Sequence, residues 1–119
     1  GGDREDMNIL EELNTLVSNI PLPVEIGVFS GLAPDEYVVI LPLSDIFEVH
    51  ADNHPGFDVQ EARISLFSKN NYLERKRQLT TALINADFTL TERRYIGHED
   101  DTGYHHYAID VAKNYRLEE

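Results

Sequence analysis

Val59-Gln60-Glu61-Ala62-Arg63-Ile64-Ser65-Leu66-Phe67-Ser68-Lys69-Asn70-Asn71 is the stretch on which the fold turns. Ala62, Ile64 and Leu66 fall on one face and Glu61, Arg63 and Ser65 on the other, the period-two pattern of a strand. Ser68 and Asn70 are N-cap residue types, and the period then changes to helical over Asn71–Ala86. Tyr72, Lys76, Leu79, Leu83 and Ala86 recur along one face, widened by Leu73 and Thr80, while Glu74, Arg75, Arg77 and Gln78 are expected to face water.

Working outward toward the N-terminus, Tyr37-Val38-Val39-Ile40-Leu41 is apolar on both faces and reads as a strand inside a sheet. Val24-Glu25-Ile26-Gly27-Val28-Phe29 alternates as a half-buried strand, and Gly31 to Asp35 turns the chain. Met7–Ile20 carries Ile9, Leu10, Leu13, Leu16, Val17 and Ile20 in a helical stripe that Pro21 and Pro23 end. Ser44 to Asp58 reads as a long irregular loop around Asp52-Asn53-His54-Pro55-Gly56. Toward the C-terminus, Phe88–Ile96 and Tyr104–Tyr115 form the arms of a hairpin joined by Gly97–Gly103. The order is α-β-β-β-α-β-β, which predicts an α+β two-layer sandwich: a mostly antiparallel sheet with two helices. Residues 1–6 hold nothing to bury and read as a disordered remnant of cloning, leaving 7–119 as one domain.

The chain has 119 residues, no Cys and a formal charge of −12, from 10 Lys plus Arg against 22 Asp plus Glu. Disulfides, thiolate metal sites and Cys nucleophiles are excluded. Tight gripping of nucleic-acid phosphate is disfavoured, and no stretch is long and apolar enough for a membrane span. The charge is lopsided. Residues 7–62 hold ten acids (Glu11, Glu12, Glu25, Asp35, Glu36, Asp45, Glu48, Asp52, Asp58, Glu61) and no Lys or Arg, whereas residues 63–119 hold nine of each sign. Arg75, Arg77, Arg93 and Arg94 are the cationic concentration and read as a docking patch for the acidic half of a neighbouring copy, a head-to-tail contact that builds rings.

No catalytic motif is present: there is no Gly-x-Ser-x-Gly turn, no Gly-rich phosphate loop and no His-Glu-x-x-His. Two constellations could hold a metal. His50, Asp52 and His54 stand at two-residue steps, and His98 stands near His105 and His106. Alternation sends His105 and His106 to opposite faces of a strand, and the acidic run Glu99-Asp100-Asp101 sits where a turn wants such residues. Neither is expected to hold a metal, and a small metal-binding module or metal-dependent enzyme is the alternative reading.

Three stretches carry a family likeness: Glu61–Tyr72 running from strand into helix, Ala86-Asp87-Phe88, and Glu99-Asp100-Asp101-Thr102-Gly103-Tyr104-His105-His106. With the element order, they resemble the tail-terminator (tail-completion, tail-to-head joining) proteins of long-tailed bacteriophages and prophages. The resemblance implies a structural virion protein and not an enzyme, with no cofactor. It implies a hexameric ring on the head-proximal end of the tail tube, contacting the major tail protein and the head connector, with DNA passing through the bore. The location implied is the virion's head–tail junction, and the bacterial cytoplasm before assembly. Phe47 and Phe57, apolar anchors in the polar 44–58 loop, join the four arginines as expected assembly contacts.

Overall fold

A computed structural model describes residues 8–20, 24–26, 34–47 and 57–116. The elements are α1 (Ile9–Val17), β1 (Val24–Ile26), β2 (Glu36–Phe47), β3 (Phe57–Ser68), α2 (Tyr72–Asn85), β4 (Thr89–His98) and β5 (His105–Arg116). The strands form one sheet in the order β1-β2-β3-β5-β4, antiparallel except for the short β1–β2 pair. The expected α+β class, element order and mostly antiparallel sheet are therefore present.

The sheet packs its helix-facing side as the alternation requires. Val38 and Ile40 of β2, Ala62, Ile64 and Leu66 of β3, and Tyr107, Ile109 and Val111 of β5 meet Ile9, Leu13 and Val17 of α1 and Leu79 and Leu83 of α2. Val39, Ser65 and Ala108 occupy the opposite face and are buried as well, so the double-sided apolar run at 37–41 reflects an interior position. On that second face Arg63 donates to both carboxylate oxygens of Asp110, at 2.8 and 3.0 Å.

The junctions explain the motifs noted above. At the β3–α2 turn the N-cap is Asn71, whose side chain accepts from the Glu74 N–H, in place of the expected Ser68 or Asn70. Ser68 Oγ instead accepts from the Asn70 N–H and donates to Glu36, tying the turn to β2. Helix α2 ends in a Schellman arrangement: Phe88 N–H reaches the Leu83 carbonyl and Asp87 N–H the Ile84 carbonyl, both at 3.0 Å, with Asp87 at φ 70°. Between β4 and β5, the Glu99 and Tyr104 backbones and the Gly103 N–H to Glu99 carbonyl bond close the turn, and Gly103 at φ +87° occupies a conformation suited to glycine.

One expectation is corrected. The irregular segment does not span 44–58, because β2 continues to Phe47 and β3 begins at Phe57 with Phe47 opposite Asp58. A bulge between Pro42 and Ser44 leaves Leu43 out of register, while Pro42 stays opposite Ala62 and the ladder resumes at Ser44 opposite Glu61. The polar Ser44 and Asp45 masked a strand. Residues 48–56 and 1–6 lie outside the described residues.

Candidate assembly surface

The predicted cations separate into three environments. Arg75 was expected in water but is an internal strut: its Nε donates to Glu36 at 3.0 Å and its Nη1 to Gln78, with the side chain only 23% exposed. Helix α2 is thereby pinned to the start of β2. Arg93 and Arg94 lie on opposite faces of the sheet, since Arg93 stands across from Ile109 and Arg94 across from Ala108. Arg94 is 3.7 Å from Glu92 and well exposed, a contact of small energetic weight.

Arg77 and Arg93 do come together. They line a groove of about 360 Å³ between α2 and β4, with Leu73, Lys76, Thr80 and Thr81 completing the wall. Lys76 lies 5.2 Å from the centre of the Tyr107 ring. Arg77 is bonded to Glu74 one turn earlier, whereas Arg93 has no ion-pair partner among the described residues. Thr80 Oγ1 is buried in the wall without a hydrogen-bond partner. Leu73, expected to widen the buried face, is 55% exposed at the groove. Three cations and one carboxylate around a concave surface make a positive site on an acidic chain, suited to carboxylates carried beside an apolar side chain.

Phe47 closes β2 and Phe57 opens β3, so the backbone brings both to the same end of the sheet; their side chains lie outside the described residues. That end is remote from the groove. Asp58, opposite Phe47, pairs with Tyr115 on β5, six residues beyond the Ile109 that faces Arg93.

The hairpin histidines divide as alternation predicts. His105 stacks on Tyr72 at 4.8 Å and its Nδ1 lies 2.9 Å from the Tyr95 hydroxyl. His98 lies 4.7 Å from it, ring to ring, and contacts Asp100 at 3.1 Å. His106 is on the other face, stacked on Phe67 at 4.2 Å, and Phe67 stacks on Tyr37 at 4.8 Å. Burial lowers the His106 pKa below its ordinary value, Glu99 partly offsets that, and Arg63 reinforces it. Among the described residues no three His, Cys, Asp or Glu side chains converge as a metal site. His50, Asp52 and His54 lie outside the described residues. No described helix is long and apolar enough to cross a membrane.

The sequence pattern missed a latch at the far end of the molecule. Glu12 on α1 accepts from Lys113 at 2.6 Å and from the Tyr115 hydroxyl at 2.7 Å, while Lys113 also donates to the Ala86 carbonyl and sits over the Phe88 ring. Burial first, then the bond to Glu12, pushes the Tyr115 hydroxyl far above its usual pKa. The signal lay in the alternation of β5, which puts Lys113 and Tyr115 on the same face as Val111.

No family model matches the sequence, and no curated protein matches it either.

Proposed function

We propose that the protein is a structural subunit of a long-tailed bacteriophage or prophage tail. In this reading it assembles with further copies into a ring, of hexameric order, on the head-proximal end of the tail tube. It ends the tube at the major tail protein and offers its other side to the head connector. Its place is the head–tail junction of the virion, reached from the bacterial cytoplasm. It makes and breaks no covalent bond and needs no cofactor.

The observation that carries this reading is the polarised charge of the subunit. An outward-facing groove bears Lys76, Arg77 and Arg93 on a chain whose residues 7–62 hold ten acids and no Lys or Arg. Opposed surfaces on one subunit favour head-to-tail contacts, which close into rings when the rotation permits. Acidic residues facing a bore would let DNA pass without adhering, since like charge removes the phosphate attraction. The resemblance in the three junction motifs supplies the identity of the assembly.

The test is electron microscopy of the purified protein mixed with isolated tail tubes. A ring capping one end of each tube is the expected result. Tubes left bare at both ends at saturating protein would overturn the proposal.

A further inference from the structure

We infer that the groove between α2 and β4 receives the acidic 44–58 segment of a second copy of this chain. The inference deepens the ring reading by naming the contact. The groove offers Lys76, Arg77 and Arg93 around the exposed Leu73. The 44–58 segment carries Asp45, Glu48, Asp52 and Asp58, no Lys or Arg, and Ile46, Phe47 and Phe57 as apolar partners for Leu73. Other acids of the first half are already engaged: Glu12 by Lys113, Asp35 by Lys69 and Glu36 by Arg75. By sequence the 44–58 segment, with four acids and no Lys or Arg, is the charge complement of the groove.

Chain length decides between the copy's own segment and a neighbour's. Phe47 and Phe57 are anchored in β2 and β3, so the connection is residues 48–56, nine residues. Its tip extends at most about 15 Å from the strand ends, half of nine residues at 3.3 Å each. Arg93 lies across from Ile109, six residues back along β5 from the Tyr115 row where the connection departs. That is about 20 Å along the strands, with two strand spacings, about 10 Å, to cross as well. The segment therefore reaches a neighbour's groove and not its own, and repetition of the contact is head-to-tail.

The experiment uses the full chain in solution without tail tubes. A fluorescently labelled synthetic peptide of residues 44–58 is titrated at low salt, with amide spectra locating the site. Expected are binding that perturbs Leu73, Lys76, Arg77, Thr80 and Arg93, and weakening of at least about tenfold in a folded K76E/R93E double variant. Arg94→Glu, on the opposite sheet face, should leave binding within about twofold. Should K76E/R93E fail to fold, a peptide with its four acids replaced by Asn and Gln serves instead, and it must lose the same affinity. No binding, binding indifferent to either change, or equal displacement by inorganic phosphate would each overturn the inference. A cap on tail tubes without peptide binding removes the groove and leaves the ring; peptide binding without a cap does the reverse.

Discussion

Replacing Glu12 by Ala tests the latch that holds α1 to the sheet. Helix α1 has nine residues, too short to persist by itself, so its stability comes from docking. Ile9, Leu13 and Val17 supply the apolar part, and Asn8 caps the first turn by accepting from the Glu11 N–H. Gln60 on β3 accepts from the Ile9 N–H at 2.9 Å. A further tie is Glu12. Its carboxylate takes one charge-assisted bond from Lys113 and one from the Tyr115 hydroxyl, and the Glu12 and Lys113 side chains are 24% and 22% exposed.

Losing the ammonium bond in a site so shielded costs about 2 kcal/mol, and stranding the phenol about 1 more. Ala gains a few tenths of a kcal/mol in helix propensity. The expected destabilisation is about 3 kcal/mol, a fall in Tm of about 10 °C for a domain of this size. Urea unfolding of Glu12→Ala, Lys113→Ala and the double variant closes a mutant cycle, with expected coupling of about 1.5 kcal/mol. Coupling below about 0.5 kcal/mol, the range of an exposed ion pair, would refute the reasoning. Alkaline pH gives an independent check. The folded Tyr115 pKa lies above the unfolded value of 10.0, so its contribution is complete below pH 10 and is lost as the unfolded chain ionises above it. Tyr115→Phe should therefore blunt the loss of stability above pH 10.

Leu83, fully buried between α2 and the sheet, should cost about 2–5 kcal/mol when cut to Ala, while Leu73→Ala, on the same helix but 55% exposed, should stay within about 0.5 kcal/mol by urea unfolding. Asp87 holds the left-handed C′ position that glycine occupies without strain, so Asp87→Gly should raise stability by about 0.5–1 kcal/mol in the same assay. His106 has a folded pKa below its ordinary 6.5, so the unfolded chain takes the proton first: stability is full above pH 6.5 and declines as pH falls below it. His106→Phe keeps the stack on Phe67 and should flatten that decline; an unchanged slope between pH 6.5 and 5 would count against the assignment.

What was legible in the sequence follows from how each contact is encoded. Period-two and helical patterns are written in consecutive residues, so Ala62, Ile64 and Leu66 identify β3 and Leu79 and Leu83 the inner face of α2. Ends are written less clearly. Ser44 and Asp45 look like loop residues, yet they continue β2, because pairing across to Gln60 and Glu61 depends on a partner strand and not on their own propensity. Side-chain partners joining distant residues leave no local trace. Arg75 and Arg77 are two apart on one helix and equally basic, but only Arg75 reaches Glu36, 39 residues earlier, because residues two apart on a helix face nearly opposite directions. Arg93 and Arg94 read as one patch until the register of β4 on β5 puts them on opposite faces. The groove inherits its sign from that sorting. Once Arg75 is neutralised within the fold and Arg94 is turned away, the cations facing outward between α2 and β4 are Lys76, Arg77 and Arg93, with Glu74 as their local counter-charge. Among the described residues Glu74 is the one carboxylate paired with these cations, and in the proposed contact an acidic segment of another copy would supply the rest of the counter-charge.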